Sequence, residues 1–309
     1  MSRNSKNFLR RLRTEQPNRA SAGLGSKPAL QIARIMNAED ARVAPAVRRV
    51  IPEIARAIDS IAEALRGGGR LIYVGTGTSG RLGALDAVEC APTFNVDPKM
   101  VQFVIAGGTR ALAEAVESDE DSREQGEKAI AKKRPGRNDA VVGIAASGRT
   151  PFTVAAVDYA RRRGARTIAL TCNHDTSLER AADLAIVVDV GPEVLAGSTR
   201  LKAGTAEKMV LNMLSTGAFS RLGYVYGNLM ANVRPRNVKL RERGIGIIER
   251  VAGVGRERAR RVLAEAGNTA VAMVMLKAEV DRRAAEKALR SSQQNVDRAI
   301  ALARQLRSG

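Results

Sequence analysis

Apolar positions along the chain follow two alternating rhythms. Between residues 26 and 65 they recur at helical spacing, first as Leu30, Ile32, Ile35 and Met36, then as Ile51, Ile54, Ile58, Ile61 and Leu65. Gly67-Gly68-Gly69 stops that pattern and hands over to a continuous apolar run, Leu71-Ile72-Tyr73-Val74, which predicts a strand buried on both faces. Four more such runs follow at 101–106, 140–145, 167–171 and 184–190. Helical patterns separate them, including 153–163 and 203–222. Strands that alternate with helices predict an α/β fold, a doubly wound sandwich around a mainly parallel sheet. After Arg243-Gly244 the rhythm changes to short helical segments at 247–251, 257–265, 270–277 and 283–289. Three parts are therefore expected: an N-terminal helical arm over 1–58, an α/β domain over 59–242 and a small all-helical domain over 243–309.

The first strand runs straight into Gly75-Thr76-Gly77-Thr78-Ser79-Gly80, which precedes a helical pattern. A strand, a glycine turn and a helix start bring free backbone N–H groups and the helix dipole to one point, which suits an anion. The same letters fit the dinucleotide fingerprint, but that fold also wants an acidic residue about 20 positions on, near the end of the second strand. Here that strand ends in Gly107-Gly108. The hydroxyls of Thr76, Thr78 and Ser79 favour a terminal phosphate over a pyrophosphate. A second hydroxyl-rich loop, Ala146-Ser147-Gly148-Arg149-Thr150-Pro151, follows the third strand, and Pro151 fits a first helical turn. A third, containing Gly197, Ser198, Thr199, Arg200 and Lys202, precedes another helix. Each loop alone could be a helix cap. Together, at the carboxyl ends of parallel strands, they point to a phosphorylated small molecule.

Composition narrows the chemistry. The net charge of +19 resembles a nucleic-acid footprint. Yet the arginines are spread along helices and mixed with Glu, and only 3% of residues are aromatic. A solvated basic surface, with no nucleic-acid partner, is expected. No apolar run approaches the roughly 20 residues of a membrane span, so no membrane partner is expected. The basic residues 1–13 lack the apolar stretch of a secretory signal. Cys90 and Cys172 are not closely spaced, which fits a reduced, cytoplasmic protein. His174 is the only histidine, so neither a metal site nor a Ser/His/Asp triad is expected. Carboxylates remain. Glu89 shares a helical face with Leu82 and Leu85, and burial there would favour its protonated form and a general-acid role. Glu120 stands in an acidic stretch, 117–124, which also reads as a helix-start cluster.

Several ordered motifs resemble the N-acetylmuramic acid 6-phosphate etherases, members of the sugar isomerase (SIS) domain superfamily. They include the residue runs 75–83, 85–93, 105–108, 120–124, 142–151 and 197–206, extended by 211–217 and by Asn237, Lys239 and Leu240. The resemblance covers most of the chain from Thr14-Glu15 onward. It implies an SIS-type fold and cleavage of the ether joining D-lactate to carbon 3 of the sugar, by elimination and then hydration. It further implies catalysis without metal or redox cofactor, in homodimers with sites near the subunit interface. By motif, Glu89 matches the family's acid and Glu120 its second catalytic glutamate, the base. Thr78, Ser79, Ser147, Gly148, Arg149 and Thr150 match the sugar-phosphate loops, and Ser198 and Lys202 fall in the third. Three places depart from the family pattern: Val88 where a Ser usually precedes the acidic Glu, the segment 24–29, and Arg234-Pro235-Arg236. The chain also resembles the glucokinase regulatory proteins, which implies a non-catalytic sugar-phosphate sensor. Those carry two SIS domains in tandem, and this chain has length for one.

Overall fold

A computed structural model describes residues 12–116 and 119–308. Most of the basic N-terminal stretch, and Glu117 and Ser118 of the acidic one, lie outside the described residues. Helices α1 (Ala29–Asp40), α2 (Val43–Arg48) and α3 (Ile51–Arg66) lead into strand β1 (Leu71–Gly75) and helix α4 (Gly77–Phe94). Then come β2 (Val101–Ile105), α5 (Arg123–Ala131), β3 (Ala140–Ile144), α6 (Pro151–Arg162), β4 (Arg166–Thr171), α7 (Ser177–Ala181), β5 (Leu184–Val187) and α8 (Lys202–Arg221). The five strands form one sheet in the order β2-β1-β3-β4-β5, every pairing parallel. The doubly wound α/β expectation therefore holds.

Alternation along the strands divides the core between the two faces of the sheet. On one face Ile72, Val74, Val104, Val141 and Ala169 pack with Ile130 of α5, Phe152 and Val157 of α6, and Leu178 of α7. On the other, Tyr73 and Ile144 press against α4, where a Cβ on Gly83 would stand 3.0 Å from each side chain. The Tyr73 hydroxyl donates to Asp86 Oδ2 at 2.8 Å, and Asp86 Oδ1 accepts from Asn212 Nδ2 (2.8 Å) and Ser215 Oγ (3.1 Å) of α8. Burial raises the Asp86 carboxyl against these hydrogen bonds, so this polar network sits within an otherwise apolar layer.

Contacts divide the chain into two compact units, Met1–Val88 with Lys99–Ser215, and Glu89–Pro98 with Thr216–Gly309. The second unit begins well before residue 243. Its apolar cluster takes in Ala231 and Val233 with Ile245, Leu263 and Met273, so the segment ahead of the helices belongs to the same core. A short antiparallel hairpin, β6 (Val225–Tyr226) and β7 (Leu229–Met230), precedes α9 (Val238–Ala252), α10 (Arg256–Ala266), α11 (Thr269–Ala278), α12 (Arg282–Ser291) and α13 (Val296–Ser308). The hairpin and α13 go beyond the sequence expectation. Each unit holds one cysteine, Cys172 at 1% exposure in the first and Cys90 at 3% in the second, and no disulfide joins them.

Candidate active site

A 2-1-3-4-5 strand order reverses direction between β1 and β3, and open α/β sheets bind ligands outside the carboxyl ends of the strands at that point. Gly75 and Ile144, the last residues of β1 and β3, are register partners. The loops after them are therefore neighbours. After β1, α4 begins almost at once, and Gly77, Thr78 and Ser79 form its half-buried first turn, whose N–H groups have no acceptor within the helix. The loop after β3 is built differently. Pro151 has no N–H, and the Phe152 N–H donates to the Glu120 carbonyl at 3.1 Å, so α6 offers few amides. It presents side chains instead. Ser147 Oγ accepts from the Arg149 N–H at 3.3 Å, which leaves its own hydrogen to donate, and the Thr150 hydroxyl is not engaged in capping. Burial, with Arg180 nearby, holds the Arg149 guanidinium below its ordinary pKa, and an added anion would relieve that crowding. Gly148 adopts φ +66° with its carbonyl accepting from the Leu178 N–H, and a Cβ there would stand 2.5 Å from the Thr176 side chain. Only glycine fits both the conformation and the space.

Glu120 reaches this pair of loops. Besides the hydrogen bond from Phe152, its Oε1 lies 3.3 Å from where a Cβ on Gly77 would stand, and Gly77 has φ +49°. The fold thus places a carboxylate oxygen over the first turn of α4. Glu89 requires a correction. It stands exposed near the end of α4, and Leu85 and Val88 are 52% and 60% exposed. The face of α4 that is buried is the one with small residues, Ala84, Ala87 and Cys90. The stripe of Leu82, Leu85 and Glu89 is real, but it does not desolvate Glu89.

The third loop also differs from expectation. Glu193 is fully buried, and its carboxylate accepts from the N–H groups of Lys202 (3.0 Å) and Ala203 (2.9 Å), the first residues of α8. A protein carboxylate already occupies the anion position of that helix start. Lys202 is 1% exposed, with Nζ 2.5 Å from Glu39 Oε2 of α1. Its charge is paired with Glu39 and ties the arm to α8. Ser198 lies half-buried in the turn ahead of α8, which is pinned by the Gly197 N–H donating to the Thr14 carbonyl at 2.9 Å.

The model of the glucokinase regulatory protein N-terminal SIS domain matches residues 53–161, and the SIS domain model matches 123–216. N-acetylmuramic acid 6-phosphate etherase 1 of Bacillus licheniformis is 46% identical over 94% of this chain and 96% of its own. The etherase of Symbiobacterium thermophilum is 53% identical over 84% of this chain and 87% of its own, and that of Bacillus subtilis 45% over 94% and 96%. The chain belongs to the N-acetylmuramic acid 6-phosphate etherase family.

In this etherase-family chain the turn after β1 meets a further carboxyl that sequence reasoning missed. Glu207 of α8 is 1% exposed, and Ser79 Oγ donates to its Oε1 at 2.9 Å. Burial, aided by the negative charge of Glu193, pushes its carboxyl up to about 8, although the Ser79 hydrogen bond pulls the other way. A signal was available. Ala203, Glu207, Val210 and Leu214 recur at spacings of four and three, and the three apolar members are fully buried. A glutamate within such a stripe is buried with it.

Proposed function

We propose that this chain cleaves the D-lactyl ether of N-acetylmuramic acid 6-phosphate, giving N-acetylglucosamine 6-phosphate and D-lactate. The observation that carries this reading is 45–53% identity to etherases along nearly the whole chain, with the matching loops gathered at the switch point of the sheet. The phosphate sits at the first turn of α4, met by Thr78, Ser79, Ser147, Arg149 and Thr150, with Gly148 shaping the second loop. Glu120 is the base that takes the proton on carbon 2, which the aldehyde of the opened ring acidifies. Its position over Gly77 supports that role. Glu89 is the acid, carried over from the family motif, and protonates the departing lactate oxygen. Water then adds across the unsaturated aldehyde, so one water is consumed per ether cleaved. The exposed Leu85 and Val88 immediately before Glu89 support a homodimer that covers this part of α4, where desolvation of Glu89 would follow. Two unbridged thiols suit a cytoplasmic setting.

The match to the glucokinase regulatory protein domain keeps a sensor reading in view, in which the same loops bind a sugar phosphate and Glu120 has no chemical task. D-lactate release decides between them. The purified protein should liberate D-lactate from N-acetylmuramic acid 6-phosphate at catalytic turnover. Tight binding of the sugar phosphate with no lactate after many hours would leave only the sensor.

A further inference from the structure

Three geometrical facts meet at the first turn of α4. Ser79, in the turn that faces the phosphate, is hydrogen-bonded to Glu207 at 2.9 Å. Glu207 is 1% exposed. Its second oxygen, Oε2, is buried and has no hydrogen-bond partner among the described residues. A buried carboxylate with one oxygen unpartnered is costly, whereas the same group bearing a proton needs far less compensation.

We infer that Glu207 is a positioning residue that works in its protonated form, donating to Ser79 Oγ so that the Ser79 hydrogen turns outward to a phosphate oxygen. When Glu207 is ionised the bond reverses. Ser79 must then donate to the carboxylate, leaving no hydrogen for the ligand, and a dianionic phosphate would face a second negative charge across one hydroxyl. Ligand binding at this loop is therefore coupled to uptake of one proton from solvent whenever Glu207 is ionised beforehand. The inference rests on the sugar-phosphate part of the proposed function and adds a control of affinity by pH.

Burial also raises the Glu193 carboxyl, against the amide hydrogen bonds that favour its ionised form, and Glu207 is the group whose titration, elevated to about 8, falls just above neutrality. Glu193, which adds to that elevation, is held by the amides of Lys202 and Ala203. Cys172, whose thiol burial raises well above 9.0, stays neutral throughout. Asp189 adds its negative charge at Cys172, and Lys202 is engaged by Glu39. A phosphate monoester has its second pKa near about 6, so it is already dianionic and does not change across this window.

Calorimetric titration of the full chain with N-acetylglucosamine 6-phosphate, from pH 6.5 to 9.5 in buffers of different ionisation heat, tests this. Wild type should bind with a Kd flat below pH 8 and rising toward about tenfold per pH unit above it, and with close to one proton taken up per ligand at the alkaline end. In Glu207→Gln the amide donates to Ser79 at every pH, so both the step and the uptake should vanish. A structural role alone would change stability in the variant and leave the pH dependence of Kd equal in the two proteins, which overturns the inference. Absence of proton uptake in the wild type, or of any binding, overturns it without recourse to a variant. Lactate release accompanied by no proton-linked step sinks this inference alone. A proton-linked step without lactate release sinks the etherase reading alone.

Discussion

Replacement of Glu120 by glutamine is expected to slow D-lactate release from N-acetylmuramic acid 6-phosphate by about 10²–10⁴-fold, the usual worth of a positioned general base. The same variant should lose exchange of the carbon 2 proton with D2O, because an amide cannot take that proton. The side chain is close to isosteric and Glu120 is only half-buried, so folding should be unaffected. Glu89→Gln separates the two bond changes. It should block lactate release yet retain some exchange, since the stabilised carbanion forms before the ether breaks. If Glu89→Gln loses exchange and Glu120→Gln keeps it, the two roles are reversed. Rates near wild type in both variants would remove the elimination chemistry altogether.

Lys202→Met is expected to lower the stability of the protein by about 3–5 kcal/mol, the cost of leaving one member of a buried ion pair without the other. Lys202 is 1% exposed and bonds to Glu39, which also accepts from Asn18 Nδ2 (2.8 Å) and Arg42 (2.9 Å). Burial raises the Glu39 carboxyl, but the hydrogen bonds from Lys202, Asn18 and Arg42 more than offset it and hold it below its ordinary 4.5. A carboxyl depressed in the fold stabilises above its unfolded pKa, so this contribution should drain away as pH falls below 4.5. Urea unfolding at neutral and acid pH reads both effects. Adding Glu39→Met to Lys202→Met should restore much of the loss, because apolar replacement of a whole buried pair is often near neutral. Michaelis constants should stay at the wild-type value in the double variant. A strong rise in KM with stability intact would return Lys202 to the substrate.

The sheet was legible because its inner strands, β1, β3 and β4, are buried on both faces and so appear as apolar runs between glycine and helix patterns. The switch-point loops were legible for a related reason, since glycines and hydroxyls interrupt those runs at their carboxyl ends. Burial of polar groups was not. Periodicity marked a stripe through Leu82, Leu85 and Glu89, but it cannot tell which face of a helix is covered, and small residues, Ala84, Ala87 and Cys90, line the buried one. The loop before α8 looked like an anion site by composition, yet the anion it holds is Glu193, nine residues before Lys202. No spacing rule links a carboxylate to a helix start across such a turn. The burial of Lys202 was hidden for the converse reason: its partner, Glu39, is 163 positions away.

The placement of the two thiols has a kinetic consequence. Cys172 lies in the first compact unit and Cys90 in the second, both almost wholly covered. A thiol reagent can reach either one only when its own surroundings open, and local opening differs in free energy from region to region. Labelling rates at the two positions, resolved by peptide mass, therefore give two independent clocks within one molecule. Unequal rates would rank the local stability around the two positions, with no introduced probe and a native sequence throughout.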